Sequence, residues 1–87
     1  MSYALEFRPS TERDRRNLPL DIQRRFANAF ERLVEDPFQP RPGLDIRRLV
    51  GGRRGEWRLR VGQYRAVYEV EGSTICVLEI GHRSNVY

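Results

Sequence analysis

The stretch from Gly55 to Tyr87, GEWRLRVGQYRAVYEVEGSTICVLEIGHRSNVY, limits the possible folds more than any other part of the chain. It holds three segments of alternating apolar residues separated by VGQ and EGS, a pattern that predicts strands joined by tight turns. Side chains alternate across a strand, so Trp57, Leu59 and Val61 share one face while Arg58 and Arg60 share the other. In the next segment Tyr64, Ala66, Tyr68 and Val70 form the apolar set, and Arg65 stands opposite them with Val67 and Glu69. An antiparallel sheet with one buried and one solvated face accounts for this alternation. Its solvated face is strongly basic, whereas an ordinary one mixes signs.

The arginine distribution sharpens that observation. All sixteen cationic side chains are arginines. Residues 1–40 are neutral, with seven arginines against seven acids; residues 41–65 carry eight arginines against Asp45 and Glu56; residues 66–87 carry Arg83 against three glutamates. A basic block in mid-chain attracts polyanions, because planar guanidinium forks bind phosphate in pairs of hydrogen bonds and stack on bases. A membrane-surface role needs a basic amphipathic helix, and these arginines fall on predicted loop and strand. No apolar run reaches the roughly 18 residues of a membrane span. The N-terminal MSYALEFRPSTERDRRN turns charged at once and lacks the apolar stretch of a secretory leader, so the expected location is the cytoplasm.

Cys76 is the single cysteine and sits in an apolar run, where a buried thiol is expected. One His, one Cys and scattered carboxylates give no metal-ligand spacing. Neither a Gly-rich phosphate loop nor an internal repeat is present, so no metal and no cofactor is expected.

In chain order, Tyr3–Phe7 alternates briefly as a first strand and Arg8-Pro9 ends it. Ser10 is placed to cap a short polar helix over Thr11–Asn17, held by Phe7 and Leu18. A second helix is predicted over Leu20–Asp36, where Ile22, Phe26, Ala29, Phe30 and Leu33 recur at helical steps. Pro37, Pro40, Pro42 and Gly43 force an extended loop, and LDIRRLVGGRRG carries the basic block to the next strand, tied down by Leu44, Ile46 and Leu49. The expected fold is a single α+β domain over 1–87. An N-terminal helical hairpin packs on one face of a four-stranded, mainly antiparallel sheet, and the opposite, concave face is left for function.

An N-terminal strand, an LP-linked helical hairpin, a basic loop, VGQYRAVYEV and a terminal GHRSNVY together resemble the RelE family of bacterial toxin–antitoxin systems over essentially the whole chain. The resemblance implies a fold similar to small microbial ribonucleases and a metal-independent endoribonuclease that cleaves mRNA in the ribosomal A site until a cognate antitoxin blocks it. It places Arg58 and Arg60 at the family's basic pair, often lysines, Arg65 at the arginine after the aromatic, Arg83 at the arginine of the C-terminal motif, and Tyr87 at its terminal tyrosine. Arg47, Arg48, Arg53 and Arg54 are read from their basic segment as contacts to phosphates or ribosomal RNA, with a merely solvated loop as the alternative.

The chemistry can be argued beside the family. RNA carries its own nucleophile, the 2′-hydroxyl, so cleavage needs positioning, a proton acceptor and stabilisation of a phosphorane-like transition state. Arginine suits the last role and, with a pKa of about 12 or above, not the second. Tyr87, normally near 10 and lowered by guanidinium neighbours, is the candidate to orient or activate the 2′-hydroxyl, or to stack on a base. His82 is the alternative because it titrates near neutrality. Strand parity places it with Ile80, Leu78 and Cys76, away from Arg83, unless Gly81 releases it. Trp57 and Tyr64 are expected in the core, and Glu69, Glu71 and Glu79 in ion pairs with nearby arginines. Two rival readings remain: a ParE-like toxin, similar in fold, that inhibits DNA gyrase without nuclease chemistry, and a non-catalytic RNA-binding module.

Overall fold

The computed structural model describes residues 2–50 and 55–86, with side chains described as far as Ser84. After strand β1 (Ala4–Phe7) come helices α1 (Pro9–Arg16) and α2 (Leu20–Leu33), strands β2 (Asp45–Arg48), β3 (Glu56–Val61), β4 (Tyr64–Glu71) and β5 (Thr74–His82), and a terminal turn of helix, α3 (Arg83–Val86). The strands form one sheet in the order β1-β5-β4-β3-β2. Only β1, against β5, is parallel; the other neighbours are antiparallel.

The helical hairpin on a mainly antiparallel sheet is the expected architecture, with one strand more. Asp45–Arg48, expected as loop, pairs with β3 as β2. Four residues with a single buried apolar side chain, Ile46, carry too little alternation to stand out behind the proline-rich segment. At their far ends β3 and β4 meet through Gly62-Gln63, and β4 and β5 through Gly72-Ser73. Positive φ at Gly62 (58°) and Gly72 (60°), with none at the residue that follows, suits two-residue hairpins whose first loop position must be left-handed.

The α2 stripe buries Ile22, Phe26, Ala29, Phe30 and Leu33 against Leu59, Val61, Ala66, Tyr68, Ile75, Val77 and Ile80 of the sheet. Phe26 stacks on Phe30 at 5.7 Å, and Phe30 meets Phe7 of β1 edge-on at 5.5 Å. Trp57, Tyr64 and Val70 pack at the margin of the same cluster, so the alternation in β3 and β4 partitions as the sequence predicts. α2 ends at Leu33 rather than Asp36. The Val34 carbonyl is taken by the Tyr3 amide at 2.7 Å, and Pro37 disfavours helical backbone in the residue before it.

α1 starts at Pro9 with Arg8 as its N-cap, and Ser10 makes no cap bond. With Pro9 at the first helical position, where its fixed φ suits the helix, Ser10 falls inside the helix at its second position and not at the cap. This helix is held by a bond that its sequence does not advertise. The register of β4 against β5 slips between Val67 and Tyr68, so Leu78 is an extra residue in the ladder. The buried Thr11 Oγ1 donates to the Leu78 carbonyl at 2.7 Å, which ties α1 to the bulge. Arg15 donates to both carboxylate oxygens of Glu12 (3.0 and 2.5 Å) and lies 5.6 Å over the Phe7 ring. That hydrogen bonding holds the Glu12 carboxyl below its ordinary range. The bulge also moves Cys76. Ile75 and Val77 face the core before it and Ile80 after it, which leaves Cys76 half-buried on the other face beside Glu69 and Glu6. The expected core thiol is therefore a thiol on the face away from α2, because simple alternation counts through a residue that breaks it.

The Thr11 bond and a second buried bond, made by Tyr68, can each be tested. Thr11→Val keeps the shape but leaves the Leu78 carbonyl buried without a donor, so urea unfolding should show a loss of about 1–3 kcal/mol. A loss below about 0.5 kcal/mol would show that α1 is held by packing alone. Tyr68 is fully buried, and its hydroxyl donates to the Pro37 carbonyl at 2.7 Å. Burial pushes this phenol well above its ordinary value. The unfolded chain then releases the proton near pH 10 while the folded chain retains it, so stability falls as pH rises above about 10. Tyr68→Phe should lose stability at neutral pH and flatten this component of the alkaline decline, as read from unfolding free energies on either side of about pH 10.

Candidate functional site

The face of the sheet away from α2 carries Arg47, Arg58, Arg60 and Arg65 among the predicted site residues. In β2, Ile46 faces the core, so Asp45 and Arg47 face away; β3 adds Arg58 and Arg60, and β4 adds Arg65. The register brings these together. Arg47 stands directly opposite Arg58, and Arg60 opposite Arg65, while Asp45 is opposite Arg60. Further along the same face Glu56 is opposite Glu69, which is opposite Cys76. The face is thus divided, with arginines towards the β3–β4 turn and glutamates towards the other end. Glu69 therefore does not face an arginine across the sheet as expected; its direct neighbour on β3 is another carboxylate.

Like charges directly opposite on neighbouring strands destabilise a sheet. Two such pairs side by side need compensation, and the structure supplies part of it within the sheet. Arg58 is buried, with 6% of its surface exposed, and its Nη1 donates to Asp45 Oδ1 at 3.3 Å. Asp45 itself remains exposed. Arg58, expected on an open wet face, is instead withdrawn into the sheet surface, with one edge of its fork committed to Asp45. Neighbouring Arg60 is half-exposed, and its Nε donates to the Gly62 carbonyl at 3.2 Å, turning the guanidinium towards the β3–β4 turn. Arg65 is half-buried, opposite Gly81 of β5.

Arg83 opens α3 and is exposed; its amide donates to the Gln63 carbonyl at 2.8 Å. That bond places the start of α3 at the β3–β4 turn, the same end of the sheet as Arg60 and Arg65. His82 lies at the same end but on the other face. It pairs with Tyr64, whose ring meets it edge-on at 5.4 Å on the core side. Its Nδ1 lies 2.9 Å from Ser84 Oγ and accepts the Ser84 amide at 3.3 Å, so the imidazole serves the first turn of α3. Arg48 is exposed opposite Trp57, apart from the Arg47–Arg58 row. Arg53, Arg54 and Tyr87 lie outside the described residues.

Sequence reasoning missed Asp45 as the partner of Arg58. The signal is present in LDIRR, where Asp45 and Arg47 alternate with Leu44 and Ile46, and it is lost when the segment is taken for loop. Asp45→Ala should cost about 1–3 kcal/mol by leaving a buried guanidinium without its acceptor, towards the lower figure because solvent reaches Asp45. Asp45→Asn, which keeps an acceptor oxygen, should lose less. Chemical denaturation of both variants checks this, and equal stability of Asp45→Ala and the parent would show that Arg58 needs no partner.

Comparisons with known proteins agree with this architecture. No curated protein sequence matches the chain. Among solved structures it is similar to the RelB-RelE antitoxin-toxin complex of Methanococcus jannaschii, at 28% identity over 94% of each chain with a TM-score of 0.76. It is also similar to the RelE-RelB complex of Pyrococcus horikoshii, at 27% identity over 99% of this chain and 100% of that one, TM-score 0.79. A mutant of the Escherichia coli RelE toxin in the free state shares the fold, at 18% identity over 99% and 88% of the two chains, TM-score 0.78. The family model described as the ParE toxin of the type II toxin-antitoxin system parDE matches residues 5–87. The chain therefore belongs to the ParE toxin family, within the RelE/ParE superfamily of type II toxins.

Proposed function

We propose that this toxin is an endoribonuclease that cleaves mRNA, with the arginine face as its phosphate-binding and catalytic surface. The observation that carries this reading is the opposition of Arg47 to Arg58 and of Arg60 to Arg65 on adjacent strands. A sheet gains nothing from such pairs by itself; a phosphodiester laid across them converts mutual repulsion into shared attraction. In the reaction the 2′-hydroxyl gives up its proton as it attacks the adjacent phosphorus, the bond to the 5′-oxygen breaks, and that oxygen takes a proton from water, so that a 2′,3′-cyclic phosphate and a 5′-hydroxyl result. Arg65 and Arg60 stabilise the excess charge on phosphorus in this scheme, and Arg83, exposed at the same end of the sheet, is assigned to the leaving oxygen. Arg58, held by Asp45, acts as a fixed charge beneath them, and Arg47 extends the phosphate track. Tyr87 takes the 2′-hydroxyl in this scheme, on the strength of the C-terminal motif alone. The cognate antitoxin expected for a type II toxin then covers this face and the helical hairpin, and the ribosomal A site supplies the substrate. The RelE relatives in complex with RelB support that partner.

A second reading is favoured by the family model itself, which is that of ParE. ParE-like toxins inhibit DNA gyrase without nuclease chemistry. Induction separates the two: cuts in translated messages with normal plasmid supercoiling support the nuclease, and intact messages with inhibited gyrase overturn it. Within the nuclease reading, Arg83→Ala should lose roughly 10²–10³ in single-turnover cleavage while affinity falls less, because the other arginines retain the phosphates. Tyr87→Phe should lose rate if the hydroxyl handles a proton and little if the ring only stacks. Thermal unfolding run alongside guards against loss of fold. Binding without cleavage by the parent itself would leave a non-catalytic RNA-binding module.

A further inference from the structure

The strongest feature outside the arginine face is a groove of about 660 Å³ between α2, the Arg41–Asp45 loop and the β3–β4 turn. Its polar lining includes Arg25, Asn28, Arg32, Asp45, Arg60 and Gln63. Arg41 also borders it, but its guanidinium is spent on the carbonyls of Arg32, Asp36 and Gln39, where it closes the end of α2. Asp45, the one carboxylate of the lining, is engaged by Arg58. The charge left over belongs to Arg25, Arg32 and Arg60.

Two of these guanidiniums lie against turns. A Cβ added at Gly62 would come within 3.2 Å of Arg25 Nη1, and one added at Gly43 would run into the Arg32 guanidinium. Both glycines have positive φ, 58° at Gly62 and 80° at Gly43, and because they lack a Cβ each turn leaves room for an α2 arginine beside its backbone. Among the described residues no carboxylate lies within ion-pair distance of Arg25 or Arg32. Seven residues apart on one helix, they stand about 10 Å from each other along its axis. That span is too long for one inorganic phosphate to bridge and suits successive groups of an extended polyanion.

Arg60 identifies which polyanion. It belongs to the arginine face by strand parity and lines the groove, with its Nε on the Gly62 carbonyl, so that together with Asp45 it joins the two surfaces and is the cation common to both. We infer that the groove is a track for the sugar–phosphate backbone of single-stranded RNA flanking the segment on the arginine face, with Arg25 and Arg32 each holding a phosphate. This inference rests on RNA being the substrate, and it adds a binding site on the helix side of the sheet edge to that reading.

The test uses the full chain and a fluorescently labelled 2′-O-methyl oligonucleotide, which lacks the free nucleophile and cannot be cut by 2′-hydroxyl attack. Anisotropy titrations over a range of salt give the number of phosphates neutralised. Replacing both arginines, Arg25→Gln with Arg32→Gln, should lower the magnitude of the log K against log salt slope by about 1.4, at about 0.7 per phosphate on a single strand. A dinucleotide too short to leave the arginine face should bind the double variant and the parent alike. Asn28→Glu, at an exposed helix position between the two arginines, places a negative charge in the groove and should weaken the longer oligonucleotide without threatening the fold. An unchanged slope overturns the track, as does an equal loss for short and long oligonucleotides. A polyglutamate peptide that binds the parent, and loses affinity with the double variant while RNA does not, makes the groove a protein-docking site instead. Cleavage by the parent is read separately: a parent that binds with the expected slope but never cuts natural RNA removes the nuclease and keeps the track, whereas one that binds no oligonucleotide removes both.

Discussion

The packing of one amphipathic helix on one face of the sheet is the constraint from which the rest of this structure follows. Five side chains of α2 supply nearly all the helical apolar surface in the core, and they meet β3, β4 and β5 along a single face. Once that face is sealed, every second residue of those strands is directed away from the core. The apolar contacts thus carry the stability that lets the other face be chosen for something else. Fully burying a side chain such as Phe26, Leu33 or Leu59 contributes about 1.5–3 kcal/mol. Two opposed arginine pairs, destabilising as like charges across neighbouring strands are, are a tolerable cost against a core of this kind.

That tolerance has structure of its own. Of the arginines on the outer face, Arg58 is drawn below the surface and given Asp45, and Arg60 is turned aside onto a backbone carbonyl. The repulsion is eased by spreading the guanidiniums over different depths and directions. In the nuclease reading proposed above, the same spreading would let a phosphate meet donors from several sides, as stabilising a phosphorane requires. The other half of the face is acidic, with Glu56 opposite Glu69.

The bulge at Leu78 has consequences at both ends of β5. Towards β1 it supplies the carbonyl that Thr11 holds, and so sets where α1 runs. Towards the C-terminus it resets parity, so that Ile80 returns to the core and His82 follows it to stand against Tyr64. The histidine that looks most suited to proton transfer is thereby turned from the arginine face to the capping of α3. The pairing of Arg65 with Gly81 brings the start of α3, and with it Arg83, to the arginine end of the sheet.

The amino-acid sequence alone determined the partition of β3 and β4 into an apolar and a basic face, the stripe of α2, and the gathering of Arg58, Arg60 and Arg65 on one surface. These follow from periodicity, which is a local property: a repeat of two residues along a strand and of about 3.6 per helical turn is set by backbone geometry whatever lies nearby. Tertiary structure decided the rest. Whether Asp45–Arg48 is loop or strand depended on β3 being there to pair with it, and the burial of Arg58 depended on Asp45 arriving from that strand. The side of the sheet on which Cys76 lies, and the bond that holds α1, depended on one extra residue in the β4–β5 ladder. The meeting of Arg25 with the β3–β4 turn, and of Arg32 with the turn at Gly43, depended on how α2 lies across the sheet. Each of these is a contact between segments far apart in the chain, and no local repeat records which distant backbone will supply the partner.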